Sequence, residues 1–180
     1  MRGGRPALSV EIPLSRCTLR AWRQGDEASL VRSADNRNVW RNLRDLFPSP
    51  YTAADAKEWI RTASVESPVA NFAIVVGGEA VGGIGLTLGT DVFRRSAEIG
   101  YWLGEPLWGR GIASEAVRAV SQYAFEYFDL CRLEAGVSEW NPASMRVLEK
   151  AGYAREGRTR LSVTKDGRTG DRVLYGLVRP

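Results

Sequence analysis

Trp102-Leu103-Gly104-Glu105-Pro106-Leu107-Trp108-Gly109-Arg110-Gly111-Ile112-Ala113-Ser114-Glu115 joins an apolar strand to an amphipathic helix through a glycine-rich turn. Gly109 and Gly111 have no Cβ, so the backbone can take unusual dihedrals there and a bulky group can come close. The first N–H groups of the helix lack intrahelical acceptors and sit at the positive end of its dipole. A turn of this kind suits an anion such as a pyrophosphate. Read alone, Gly-Arg-Gly is equally compatible with a plain strand-to-helix connection. It is not the dinucleotide fingerprint, which needs a third glycine within an early βαβ unit. It is not a Walker loop either, since no Gly-Lys-Ser/Thr follows.

The flanks give the turn its context. Downstream, Ala116, Val117, Val120, Tyr123, Ala124, Tyr127 and Phe128 form an apolar face, and Glu115, Arg118, Gln122 and Glu126 a polar stripe, which predicts a buried-face helix. Upstream, residues 97–103 read as the strand entering the turn, and Pro106 as its stop. Beyond the helix, residues 132–138 alternate as a strand with Leu133, Ala135 and Val137 on one face. Asn141-Pro142 then opens a helix that Gly152 closes.

Further outward, residues 72–76 and 79–86 predict a hairpin across Gly77-Gly78. Glycines 82, 83 and 85 in its second arm imply a bend or a close approach. Residues 17–22 make an earlier strand, followed by helices over about 26–35 and 37–45 and a third capped by Thr52. Trp40 and Trp59 read as core residues of this early helical flap. Residues 153–160 and 172–178 predict a last antiparallel pair around Lys165-Asp166-Gly167, and residues 1–9 a tail. A meander, a helix, a strand, a helix and a hairpin give a mixed α/β (α+β) sheet rather than a doubly wound one.

At 180 residues the chain suits one domain. Its net charge of +4, mostly arginine, is compatible with an anionic cofactor or with loose contact to nucleic acid. No basic run, zinc spacing or stacking motif makes the second reading specific. Cys17 and Cys131 read as structural thiols of a reducing compartment. No apolar run reaches about 18 residues and the start lacks a secretion signal, so a cytoplasmic protein with no membrane partner is expected. The chain contains no histidine, which excludes Ser-His-Asp chemistry and imidazole bases. With two separated cysteines, no metal site is expected.

Four segments together resemble the GNAT N-acetyltransferase superfamily, in its RimJ/RimL-like branch: residues 19–22, residues 97–103, Trp108 to Ala113, and Asn141 to Tyr153. The resemblance implies a mostly antiparallel central sheet of about seven strands flanked by helices and splayed between the fourth and fifth. It also implies acetyl-CoA as cosubstrate. The backbone of Trp102 and Leu103 would pair with the pantetheine amides. Amides from Gly109 through Arg110, Gly111, Ile112 and Ala113 to Ser114 would hold the pyrophosphate, and Asn141 would bond the pantetheine arm. Trp108 stands where the superfamily usually has glutamine or arginine, which leaves the pyrophosphate to backbone donors and Arg110.

Acetyl transfer needs a neutral amine and a proton for the departing thiolate. At pH 7, deprotonating a lysine costs roughly 4–5 kcal/mol and an α-amine about 1. Without histidine the base is a carboxylate or a water held by one. Glu98, on the strand leading to the cofactor, is the candidate, and an ion pair with Arg94 or Arg95 is its other reading. Ser144 is the candidate donor to sulfur, with helix N-capping as its other reading, and Glu139 and Tyr101 are further options. The expected acceptor is a primary amine, either a protein N-terminus or a small molecule. No specific nucleic acid is expected, and a homodimer stays open. A non-catalytic acyl-CoA-binding module of the same fold is the alternative function.

Overall fold

The computed structural model describes residues 10–179. The tail expected over residues 1–9 lies outside them. Eight strands form one sheet in the order β1-β2-β3-β4-β5-β6-β8-β7. They are β1 Glu11–Pro13, β2 Thr18–Ala21, β3 Asn71–Val76, β4 Glu79–Leu88, β5 Ser96–Leu103, β6 Arg132–Ser138, β7 Ala154–Lys165 and β8 Arg168–Val178. Five helices accompany them: α1 Glu27–Ala34, α2 Arg37–Trp40, α3 Ala53–Ala63, α4 Ile112–Tyr127 and α5 Pro142–Lys150. The short β1, which sequence patterning did not reveal, brings the count to eight and shifts the splay to β5 and β6. All neighbours are antiparallel except that pair.

Each sheet face has its own core. On one, Val117, Val120 and Ala124 of α4 pack with Leu148 of α5 against Phe72, Ile84, Ile99 and Leu133. On the other, Leu30 and Ala34 of α1 and Ala56 and Ile60 of α3 pack with Trp22 against Ala73 and Val75. Strand alternation therefore gives β5 two roles. Ala97, Ile99 and Leu103 join the α4 side, while Trp102 joins the flap, its ring 5.5 Å from that of Phe47. Gly83 leaves the space this indole occupies, which is the close approach its glycine implied.

Local chemistry sets several boundaries. Thr52 accepts from the Asp55 amide and Asp55 from the Thr52 amide, a reciprocal cap on α3. Gly152, at φ +96°, ends the segment after α5 as expected. The last hairpin is longer than predicted because its strands continue past an irregularity between Thr159 and Val163. There Leu161 has φ +49°, and its amide donates to Asp171 Oδ1 at 2.8 Å. This amide, helped by Arg158, holds the Asp171 carboxyl below its ordinary range.

Other expectations need correcting. The helix expected over 37–45 ends at Trp40 and gives way to turns. Trp40 is half-buried beneath two cations, with Lys165 Nζ 3.7 Å and Arg37 Cζ 5.4 Å from its ring centroid. Trp59 is 38% exposed and meets Trp22 edge-on. Cys17 is a buried thiol pushed up to about 11 by burial and by the Glu115 charge, whereas Cys131 is exposed.

Arg20 and Asp26, both buried, make a bidentate pair at 2.7 Å for each bond, and Asp26 also accepts from the Arg23 amide at 3.1 Å. Truncating one member strands the other charge, which typically costs about 3–5 kcal/mol. Asp26→Ala is expected to lower stability by that amount in urea unfolding, and a loss under about 1 kcal/mol would show the pair to be dispensable.

Candidate active site

The sheet forks between β5 and β6. The parallel pairing covers only Ser96–Glu98 against Arg132–Glu134. Among the described residues, β5 beyond Glu98 pairs with β4 alone, and β6 with β8. Antiparallel ladders alternate, so the bonds Gly104 N–H to Val81 O (2.8 Å) and Gly89 N–H to Ser96 O (2.8 Å) assign the even residues of β5 to β4. The backbone groups of Ile99, Tyr101 and Leu103 therefore face the open side. Trp102, expected there, turns its backbone to β4, and Tyr101 takes its place. The Leu103 carbonyl accepts from the Trp108 indole N–H at 2.7 Å, which ties the strand end to the glycine turn.

Gly109 and Gly111 have φ of +75° and +80°, a region that disfavours side chains. The first backbone bond into α4 is donated by Glu115 to Gly111 at 3.2 Å. Among the described residues, the amides of Gly109, Gly111, Ile112, Ala113 and Ser114 donate to no protein acceptor. Arg110 is exposed and outside the cavity lining. Arg16 lies against Gly111, its Nε 3.4 Å from where a Cβ would stand. Glu115 fastens that loop, accepting from Ser15 N–H (2.9 Å), Ser15 Oγ (2.7 Å) and Arg16 N–H (3.1 Å). Burial pushes the Glu115 carboxyl up, but these donors and the Arg16 charge outweigh it and hold it below the ordinary range.

One cavity of about 740 Å³ runs from this turn through the fork to the flap. It suits a long, bent ligand with an anionic middle: amides for a phosphate, an unpaired strand edge for an amide arm, and an apolar throat. An acetyltransferase (GNAT) domain model matches residues 16–154. The chain belongs to the GNAT acetyltransferase family.

Relatives agree with this membership. The chain is 34% identical to a Bacillus licheniformis protein named as an uncharacterized N-acetyltransferase, p20, over 91% of this chain and 93% of the relative. It is 45% identical to a Bacillus subtilis protein named as a probable N-acetyltransferase, YjcK, over 86 residues. That match spans 48% of each chain, about half the length of either. Among solved structures, Mycobacterium smegmatis RimJ in complex with CoA-disulfide superposes with a TM-score of 0.78 at 26% identity, covering 93% of this chain and 86% of that one. As a GNAT protein the chain is an acyltransferase with acetyl-CoA as cosubstrate. Among the described residues no group of three or more His, Cys, Asp or Glu could hold a metal ion, and no helix is long and apolar enough to cross a membrane.

The GNAT fork separates the two candidate catalytic residues. On the α4–α5 side, the Tyr101 hydroxyl lies 2.8 Å from Ser144 Oγ and 3.2 Å from the Ser144 carbonyl oxygen. Burial raises the Tyr101 pKa, so the phenol stays protonated. Ser144 is not the cap of α5. Asn141 is, its Oδ1 accepting from the Ser144 amide at 3.1 Å. The cap uses the Asn141 oxygen, and among the described residues Nδ2 has no protein partner.

On the flap side, Glu98 is the last paired residue before the fork opens. Its Oε2 accepts from Arg44 at 2.6 Å and its Oε1 from Arg172 at 2.9 Å, in place of the expected Arg94 or Arg95. Arg94 turns to the Asp91 carbonyl and Arg95 to Asp129. Arg172 crosses β6 over Gly136, where a Cβ would overlap its guanidinium. Glu139 pairs with Arg158 at 3.0 Å outside the cavity lining. Sequence reading missed Arg44, Arg172 and Gly136. Only a glycine in the middle of an otherwise alternating strand hinted at the crossing.

Proposed function

We propose that this protein is an N-acetyltransferase that moves an acetyl group to a primary amine, an α-amine being the acceptor its chemistry suits best, by direct attack on the thioester. The observation that carries this reading is the fork. The free edge of β5, five amides without a partner among the described residues (Gly109 and Gly111 to Ser114) and a carboxylate on the opposite face meet in one cavity. Acetyl-CoA supplies an activated acyl carbon and a thiolate leaving group. The turn amides, with Arg16 and Arg110 nearby, suit its pyrophosphate, the β5 edge at Tyr101 and Leu103 its amide arm, and Asn141 Nδ2 an amide carbonyl.

Glu98 takes the proton from the incoming ammonium, directly or through a water. Its oxygens each keep a second lone pair beside the guanidinium bonds they accept. On the other face Ser144 donates to the departing sulfur, and the Tyr101 hydroxyl, 2.8 Å from Ser144 Oγ, holds that side chain in place. An α-amine asks little of Glu98, because neutralising it at pH 7 costs only about 1 kcal/mol. RimJ, whose name this structural neighbour carries, gives a precedent within the fold but not an acceptor. A cytoplasmic location fits this chemistry.

The test is thiol release from acetyl-CoA by the pure protein with a panel of N-terminal peptides and small amines. Turnover with at least one amine, and mass gain on that amine, is expected. Tight CoA binding with no release for any acceptor would favour a non-catalytic acyl-CoA-binding module.

A further inference from the structure

The flap end of the cavity is lined by Arg41, Arg44, Asp45, Glu98, Lys165 and Arg172. These are four cations and two carboxylates, and both carboxylates are already engaged. Asp45 accepts from Lys165 Nζ at 2.7 Å, and Glu98 is shared by Arg44 and Arg172. One guanidinium beside Glu98 is therefore uncompensated. Arg41, exposed on the cavity wall, has no carboxylate partner among the described residues. The acceptor end carries a net charge of two positive units.

This surplus is built into the backbone. Gly136 clears the path along which Arg172 lies, and a side chain there would displace it. Arg172 and Arg44 each spend one terminal nitrogen on Glu98, and the remaining N–H groups have no protein acceptor among the described residues. Lys165 is held over Trp40 with its side chain 5% exposed, a fixed charge rather than a wandering one. A protonated amine entering alone meets like charge from arginines that solvent reaches, so the repulsion is modest and falls with salt.

We propose that the acceptor brings its own negative charge: an amine with a carboxylate or phosphate close to it, whose anion binds the free guanidinium edges of Arg41, Arg44 and Arg172 while the amine meets Glu98. This rests on the acetyltransferase reading and narrows its substrate class. Polyamines and lysine-rich tails are the acceptors it disfavours. Arginine is the fitting cation, since its planar fork matches carboxylate and phosphate geometry.

The experiment compares kcat/KM across charge-matched acceptors with the full chain and saturating acetyl-CoA. One arm uses peptides of sequence Ser-Glu-Glu-Ala, Ser-Ala-Ala-Ala and Ser-Lys-Lys-Ala with amidated ends. The other uses aspartate, glutamate and O-phosphoserine against their neutral amides or serine amide. An acidic acceptor is expected to exceed its neutral match by about tenfold or more in one arm, which then names a peptide or a metabolite as the source. The preference is expected to shrink several-fold between about 50 and 500 mM salt. Arg41→Glu should lower the acidic-to-neutral ratio by about threefold or more.

Neutral or lysine-bearing acceptors turning over as well as acidic ones would overturn this inference and leave the acetyltransferase reading standing. So would a preference unmoved by both salt and Arg41→Glu. No turnover in either arm, with CoA still bound, would overturn both.

Discussion

Glu98→Gln lowers kcat for a peptide α-amine by about 10²–10³ at pH 7 while leaving CoA affinity within about twofold, because a positioned base contributes roughly that much. Glu98 lies on the flap face of β5 at the foot of the fork, away from the glycine turn. The pH dependence has a definite sign. Below the acceptor's pKa of about 7.7–8.0 the amine arrives protonated and must give up its proton in the site; above it the amine arrives neutral. The gap between wild type and variant is therefore widest near pH 6.5 and narrows as pH rises through about 8 to 9.5. A gap that stays constant over that range would make Glu98 a holder of Arg44 and Arg172 rather than a base, and an unchanged kcat would remove it from the chemistry.

Gly111→Val is expected to weaken CoA binding by about tenfold to a hundredfold. At φ +80° a β-branched residue is strained by about 1–3 kcal/mol, and about 1.4 kcal/mol is a factor of ten. Relief of that strain would rotate the peptide planes that aim the free amides of residues 111–114. Its Cβ would also stand 3.4 Å from Arg16 Nε and press on the loop that Glu115 holds. Calorimetric titration with CoA measures the loss, and a thermal melt checks that the variant is folded. A folded variant with CoA affinity within twofold of wild type would show that the turn's conformation is not what binds the phosphates.

The readings that succeeded rest on short-range physics. The strand, turn and helix from Ser96 to Tyr127 follow from apolar alternation, two glycines and a 3.6-residue period, and the structure has them within a residue or two. The Thr52 cap, the Gly77-Gly78 hairpin and the 132–138 strand are equally local. The misses depend on groups far apart in the chain. Arg44, Glu98 and Arg172 are brought together by the sheet order, and no local pattern distinguishes these arginines from the others. The same holds for the Trp40–Lys165 contact. Which residues of β5 turn their backbone to the fork depends on ladder parity, set by Gly104 and Val81, and so Tyr101 rather than Trp102 has the free groups. Trp108 is a cofactor-site candidate whose side chain departs from the superfamily's usual glutamine or arginine, and its indole bonds the end of β5.

The position of β8 between β6 and β7 has a consequence for the order in which the molecule assembles. β6 and β7 follow each other in the chain with only α5 between them, yet they never pair, because β8 fills the space. Until β8 arrives, β6 is joined to the rest of the sheet through three registered positions, and its far edge is an open template. Closing that edge requires contacts of long sequence separation, which form slowly. Arg172 enters the cavity with that strand, so the cationic acceptor wall is completed when the sheet is.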